Sequence, residues 1–135
     1  MDKFLRCIES VRKQTFRDFE WIIVDDGSYV EFLWKNMLSD LPKVGVIHKE
    51  HAERVIGYNA GFKATRGEWI ALLDSDDEYS PEYLSTFAKA IKENSDYKML
   101  NCGSEHHYSD GKIESRKVFK PKELEEGHEV FGGGN

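Results

Sequence analysis

Twice in this chain a short apolar run stops abruptly on a cluster of carboxylates. Phe19-Glu20-Trp21-Ile22-Ile23-Val24 runs into Asp25-Asp26-Gly27-Ser28, and Trp69-Ile70-Ala71-Leu72-Leu73 runs into Asp74-Ser75-Asp76-Asp77. Runs this short, rich in β-branched and aromatic residues, have the dimensions of strands rather than helices. They are apolar at successive positions, so both faces are expected to be covered. That is the state of a strand in a parallel sheet flanked by helices. In such open sheets ligands lie outside the carboxyl ends of the strands, so the two acidic clusters are expected on one edge.

The rest of the pattern agrees with strands alternating with helices. Residues 2–14 put Phe4, Leu5, Ile8 and Val11 on one helix face, with Cys7 on the same apolar side. Val30, Leu33, Trp34, Met37 and Leu38 predict a short second helix, stopped by Asp40-Leu41-Pro42, and Val44-Gly45-Val46-Ile47-His48 predicts another strand. Residues 53–66 read as a helix despite Gly57 and Gly61 inside it, with Gly67 as its C-cap. Ser80-Pro81-Glu82 predicts a further helix start, Ser as N-cap and Pro at the first helical position, continuing through Leu84, Phe87, Ala88 and Ile91. Tyr97 to Cys102 reads as a strand and His106 to Phe119 as a hairpin around Ser109-Asp110-Gly111. The order implies a layered α/β fold with a largely parallel sheet, in a chain whose 135 residues leave room for one domain.

Charge and composition exclude several classes of function. Nineteen Lys and Arg face 25 Asp and Glu, a net charge of −6, and no basic stripe for nucleic-acid binding stands out. No apolar run approaches the roughly 18–20 residues of a membrane-spanning helix. Cys7 and Cys102 lack a Cys-x-x-Cys spacing and read as buried thiols of a reducing compartment. His48, His51, His106, His107 and His128 have no metal-ligand spacing and read as exposed, while Trp21, Trp34 and Trp69 read as core. Lys112, Arg116, Lys117, Lys120 and Lys122 read as a solvated hairpin face, the alternative being contact with a phosphate-bearing acceptor or a membrane surface.

The acidic clusters carry the chemistry. Asp74-Ser75-Asp76-Asp77 places three carboxylates in four residues, and alternate residues of an extended segment point the same way, so Asp74 and Asp76 are expected to face a common ligand. Crowded carboxylates repel unless a cation lies between them. Mg²⁺ or Mn²⁺ meets that need with oxygen ligands and keeps positions open for substrate phosphates. The alternative is a solvated acidic loop ahead of the helix near Ser80. Asp25-Asp26 offers acceptor-only carboxylates to a nucleobase N–H or a ribose hydroxyl, and Gly27 lets the backbone turn away from the ligand. Together the clusters favour a site for a nucleotide diphosphate and a metal.

The residues from Phe4 to Val11, Gln14-Thr15-Phe16, Phe19 to Ser28, Gly57-Tyr58-Asn59-Ala60-Gly61-Phe62 and Gly67 to Asp77, followed by Pro81 and Leu84, resemble family 2 inverting glycosyltransferases in order and spacing. The resemblance covers roughly residues 4–90. It implies a GT-A nucleotide-diphospho-sugar transferase fold, a three-layer sandwich with a mostly parallel sheet. It also implies a UDP- or GDP-sugar donor, and a saccharide or lipid-linked acceptor. By match to the family, Asp25 and Asp26 with Gly27 lie at the nucleobase and ribose. Asp76 is the main ligand of Mg²⁺ or Mn²⁺, with Asp74 beside the ribose or metal, and Asn59 lines the donor pocket. Where the family commonly has Arg before that Asn, this chain has Tyr58; Arg54 and Lys63 are the nearby cations.

The same resemblance implies pieces outside these residues: a first, central strand before Met1 and a general base beyond Asn135. Glu123, Glu125, Glu126 and Glu129 read as solvated charges rather than as that base. Residues 1–135 are thus expected to be one partial donor-binding domain. Its sheet should carry a gap that is paired across, or filled by a second copy in a homo-oligomer. Polysaccharide synthesis in the cytoplasm, or peripherally at the inner face of the membrane, is the setting implied. A non-catalytic nucleotide-sugar-binding module fits the same residues. A phospho-acceptor receiver domain would use Asp25-Asp26, Asp74, Ser104 and Lys120-Pro121. It is opposed by the helix before the first acidic strand, by the crowding of Asp76 and Asp77, and by the idle Gly57–Gly61 segment.

Overall fold

The computed structural model describes residues 2–28, 37–41, 43–51 and 54–116. The chain divides into two compact units, Met1–Glu93 and Asn94–Asn135. In the first, helix α1 (Asp2–Arg12) leads to strand β1 (Trp21–Asp26), strand β2 (Val44–Lys49), helix α2 (Arg54–Ala64) and helix α3 (Tyr83–Glu93). In the second, β3 (Ser104–His107) and β4 (Ile113–Arg116) form an antiparallel hairpin. The predicted helix around Val30, Leu33 and Trp34, and everything expected of Lys117 to Glu129, lie outside the described residues.

β1 and β2 pair in parallel, in a register that sets Trp21 opposite Val44 and Asp25 opposite His48. The strand therefore includes both aspartates rather than stopping before them. α2 lies on β1 through its two glycines: a Cβ on Gly61 would sit 3.3 Å from the Val24 side chain, and one on Gly57 4.0 Å away. Two glycines in a helix interior cost helix stability, but here they let the backbone approach the sheet closely. Past α2, Arg66 donates its backbone N–H and guanidinium to Glu20, at 2.6 and 2.9 Å, tying the helix end to the start of β1.

α1 buries Cys7, Ile8, Ser10 and Val11, leaving Leu5 exposed, and docks on the segment leading into α3. Ser10 Oγ accepts the Tyr79 N–H, and Thr15 N–H donates to the Pro81 carbonyl at 2.9 Å. Gln14, fully buried, makes three further bonds, taken up below. Arg12 reaches the other way, forming a two-pronged pair with Asp40 at 2.7 and 2.9 Å and donating also to the Met37 carbonyl.

Several expectations require correction. Among the described residues the parallel sheet has two strands, and Trp69–Leu73 forms no ladder. Ile70 and Leu72 of that segment are exposed, and β1 itself is half-buried rather than covered on both faces. An apolar run supplies strand propensity, but a ladder needs a neighbour. Tyr97–Cys102 likewise forms no ladder, and Cys102 is exposed rather than buried. Gly67 is not a left-handed cap: α2 ends at Ala64, where Thr65 N–H bonds to the Gly61 carbonyl. α3 starts at Tyr83, with Ser80 and Pro81 forming the turn before it. The hairpin forms around the predicted turn, its strands starting two residues earlier than expected, with Gly111 at φ +85° in the turn, a conformation that suits glycine.

Candidate donor site

The first acidic turn is built by β1 and closed by β2. Asp25 Oδ1 accepts the Ser28 N–H at 3.0 Å, bending the chain back over four residues, and Oδ2 meets His48 Nδ1 at 3.1 Å from the paired position on β2. Only 4 % of the Asp25 side chain is exposed. Burial pushes its carboxyl up, but hydrogen bonds from the Ser28 side chain and backbone and from His48 outweigh this, so it titrates below the usual carboxylate range. Gly27 sits at φ +80°, and a Cβ there would come within 3.0 Å of the His51 backbone nitrogen. Both conformation and contact require glycine. Asp26, one-third exposed, meets His51 Nδ1 at 3.1 Å through its carboxylate and 3.3 Å through its carbonyl.

The second acidic turn follows Leu73. The Asp77 N–H bonds back to the Asp74 carbonyl at 3.1 Å, which turns the chain. The alternation expected of an extended segment is therefore lost: Asp74 and Asp76 meet partners on different helices. Tyr58 Oη donates to Asp74 Oδ1 at 2.8 Å, and Arg54 Nη2 lies 3.8 Å from Oδ2, both from α2. Lys3 of α1 lies 3.6 Å from Asp76, and Arg6 bonds Glu78 at 2.8 Å. The phenol is pushed above its ordinary range, first by its bond to the Asp74 carboxylate and then by burial, so it remains a donor at neutral pH. Cys7 donates to the Asp74 carbonyl, and burial together with Asp77, Glu78, Asp76 and Asp74 pushes its thiol up to about 11. It is an inert structural thiol.

α2 thus links the two turns. Gly57 and Gly61 touch Val24, the residue before Asp25, while Arg54 and Tyr58 reach Asp74. Asn59 is exposed on the same helix, and of the two nearby cations it is Arg54 that reaches the acids. Among the described residues, no three His, Cys, Asp or Glu side chains are grouped to hold a metal ion. No helix among them is long and apolar enough to cross a membrane.

The sequence reading did not anticipate His48, His51 or Tyr58 as partners of the acids. For His48 a signal existed: two parallel strands that end level place Asp25 beside it.

The profile of Glycosyl transferase family 2 matches residues 2–126. An uncharacterized glycosyltransferase, YibD of Escherichia coli K12, is 32% identical over 105 residues, covering 75% of this chain and 30% of its own. Glycosyltransferase GlyG of Streptococcus pneumoniae is 32% identical over 93 residues, 66% of this chain and 31% of its own. The O-antigen biosynthesis protein RfbC of Myxococcus xanthus is 30% identical over 95 residues, 67% of this chain and 8% of its own. The chain spans about three tenths of the length of the first two relatives. A match that runs through both acidic turns and the helix between them displaces the receiver-domain alternative: the chain belongs to glycosyl transferase family 2, with the α/β GT-A architecture of that family.

Proposed function

We propose that this chain supplies the donor-binding part of an inverting, metal-assisted glycosyltransferase, taking a nucleotide-diphospho-sugar such as a UDP- or GDP-sugar. The observation that carries the reading is the linkage of two acidic turns, one at the end of β1 and one after Leu73, through one helix, inside a family match spanning both. Asp26, the more exposed of its pair, is the carboxylate that faces the nucleobase or ribose. Asp25, buried with both oxygens engaged, and Gly27 hold the turn that presents it. Asp74 lies beside the ribose, and Asn59 extends the donor-facing surface of α2.

Asp76 fits a divalent cation as a single anchor. Its side chain is 56 % exposed and its Lys3 partner stands 3.6 Å away, whereas Asp74 is already bound by Tyr58 and approached by Arg54. Mg²⁺ typically binds one or two carboxylates and completes its shell with water and substrate phosphates, so a three-residue cage is not needed. When bound, Mg²⁺ or Mn²⁺ neutralises charge on the departing diphosphate. The reaction is an in-line attack of an acceptor hydroxyl, on a saccharide or lipid-linked saccharide, at the sugar C1. The C1–O bond to the diphosphate breaks as the new glycosidic bond forms, and the hydroxyl proton passes to a base outside residues 1–135. The relative named for O-antigen biosynthesis supports a role in surface polysaccharide synthesis, cytoplasmic or peripheral at the inner face of the membrane. The two-stranded parallel sheet among the described residues and the exposed Ile70 and Leu72 support pairing with a further strand or a second copy.

Calorimetric titration with UDP and GDP, with and without Mn²⁺, tests the reading. It predicts that one of the two binds, that Mn²⁺ tightens binding, and that Asp76→Ala removes the Mn²⁺ effect. Metal-independent binding that survives Asp76→Ala would overturn the metal assignment, and no binding of either nucleotide would overturn the donor site.

A further inference from the structure

Resting on the donor-site reading, we infer that Arg54 receives the diphosphate and that Tyr58 is the positioning residue that holds the Asp74 carboxylate beside it. The two residues stand one helical turn apart on α2 and reach the same carboxylate from one side. Their contacts differ in kind. The phenol makes a short bond of 2.8 Å to one oxygen. The guanidinium stands 3.8 Å from the other, at the limit of ion-pair range, with the Arg54 side chain 75 % exposed.

Among the described residues, three cations face this acidic turn, and they are not equally committed. Arg6 is closely bonded to Glu78 at 2.8 Å, while Lys3 and Arg54 stand off from Asp76 and Asp74 at 3.6 and 3.8 Å. Asp74, Asp76, Asp77 and Glu78 would repel a diphosphate, so a cation free to turn toward the ligand is needed beside them. Arg54 meets that requirement better than Lys3. A guanidinium has five N–H donors in a planar fork, matches phosphate oxygens in pairs, and spends at most one edge on Asp74. Tyr58, by binding Asp74 tightly, keeps that carboxylate from closing on the guanidinium.

The two roles separate in a binding experiment on the full chain. Ligand-observed NMR titrations would compare UDP and GDP with uridine and guanosine, and each diphosphate with its 2′-deoxy form, at fixed Mg²⁺. Arg54→Gln is expected to weaken the bound nucleoside diphosphate roughly five- to twentyfold while leaving the nucleoside unchanged, with Arg54→Lys recovering part of the loss. Tyr58→Phe is expected to reduce the preference for ribose over 2′-deoxyribose, because Asp74 is no longer held, whereas Arg54→Gln leaves that preference intact. Thermal melting of each variant checks the fold, and the exposed Arg54 gives an arm that does not depend on Tyr58. Equal loss of diphosphate and nucleoside in Arg54→Gln, or no loss, would overturn the assignment of Arg54. An unchanged ribose preference in Tyr58→Phe would overturn the role of Tyr58. A wild-type chain that binds neither UDP nor GDP would overturn the donor site itself, a result distinct from either.

Discussion

Gln14 is fully buried just past α1, and its amide joins that helix to the start of α3. Nε2 donates to the Ser10 and Ser80 carbonyls at 3.1 and 2.7 Å, and Oε1 accepts the Leu84 N–H at 3.0 Å. Leu84 is the second residue of α3, so its N–H belongs to the first turn and has no partner within the helix. One helix therefore caps another. Gln14→Leu keeps about the same volume and removes all three bonds. The orphaned Leu84 N–H should cost about 1–3 kcal/mol, and two carbonyls losing one bond each about 1 kcal/mol more. The Ser80 carbonyl keeps its bond from the Tyr83 N–H, which limits its share. The expected sum is about 2–4 kcal/mol. With a urea m-value of about 1.5–2 kcal/mol/M for a chain of this size, the unfolding midpoint should fall by about 1–2.7 M. Gln14→Glu adds a diagnostic: its carboxylate can accept from Leu84 but opposes the two carbonyls, so its deficit against wild type should shrink at low pH, where a protonated acid can donate. A midpoint lowered by less than about 0.3 M in Gln14→Leu, with no pH dependence in Gln14→Glu, would refute the capping argument.

Three other outcomes follow from the geometry. The Asp25 carboxyl is held below its usual range, so the stability it contributes is present above its unfolded pKa near 4 and is lost as pH falls through the lower folded value; Asp25→Asn should flatten the acid limb of a stability–pH curve. Gly57→Ala meets Val24 at an ordinary 4.0 Å and should stabilise α2 by up to about 1 kcal/mol, whereas Gly61→Ala, at 3.3 Å, should show no such gain; thermal melting distinguishes them. A thiol reagent at pH 8 should modify the exposed Cys102 promptly. The buried Cys7, pushed up to about 11, should react only after unfolding.

The sequence was most legible where structure is local. The periodicity of α1, the apolar runs of β1 and β2, and the Ser109-Asp110-Gly111 turn each encode their element within a few residues, and each element formed, although β1 runs on through Asp25 and Asp26. The family pattern was legible for the same reason, as short motifs in fixed order. What escaped depends on partners distant in the chain. Trp69–Leu73 has the composition of a strand, but no described neighbour pairs with it. Asp74 and Asp76 were expected to point together, yet the Asp74–Asp77 turn sends them to different helices. The Ser80-Pro81 signal predicts a start two to three residues before Tyr83, and nothing near it in sequence reveals the glutamine 70 residues upstream that bonds the Leu84 N–H. Tyr58 looked like a missing arginine; only the fold shows its hydroxyl on Asp74 and Arg54 one turn away.

On the proposed reading, the Asp25–Ser28 and Asp74–Glu78 turns serve one ligand. Paramagnetic broadening of backbone amide signals by Mn²⁺, added with and without UDP or GDP, tests it most directly. Metal-dependent broadening centred on Asp76 is expected, strengthened by the nucleotide, with chemical-shift changes at Asp26, Gly27 and Ser28 in the same titration. Broadening centred elsewhere, or nucleotide-induced shifts confined to one of the two turns, would contradict it.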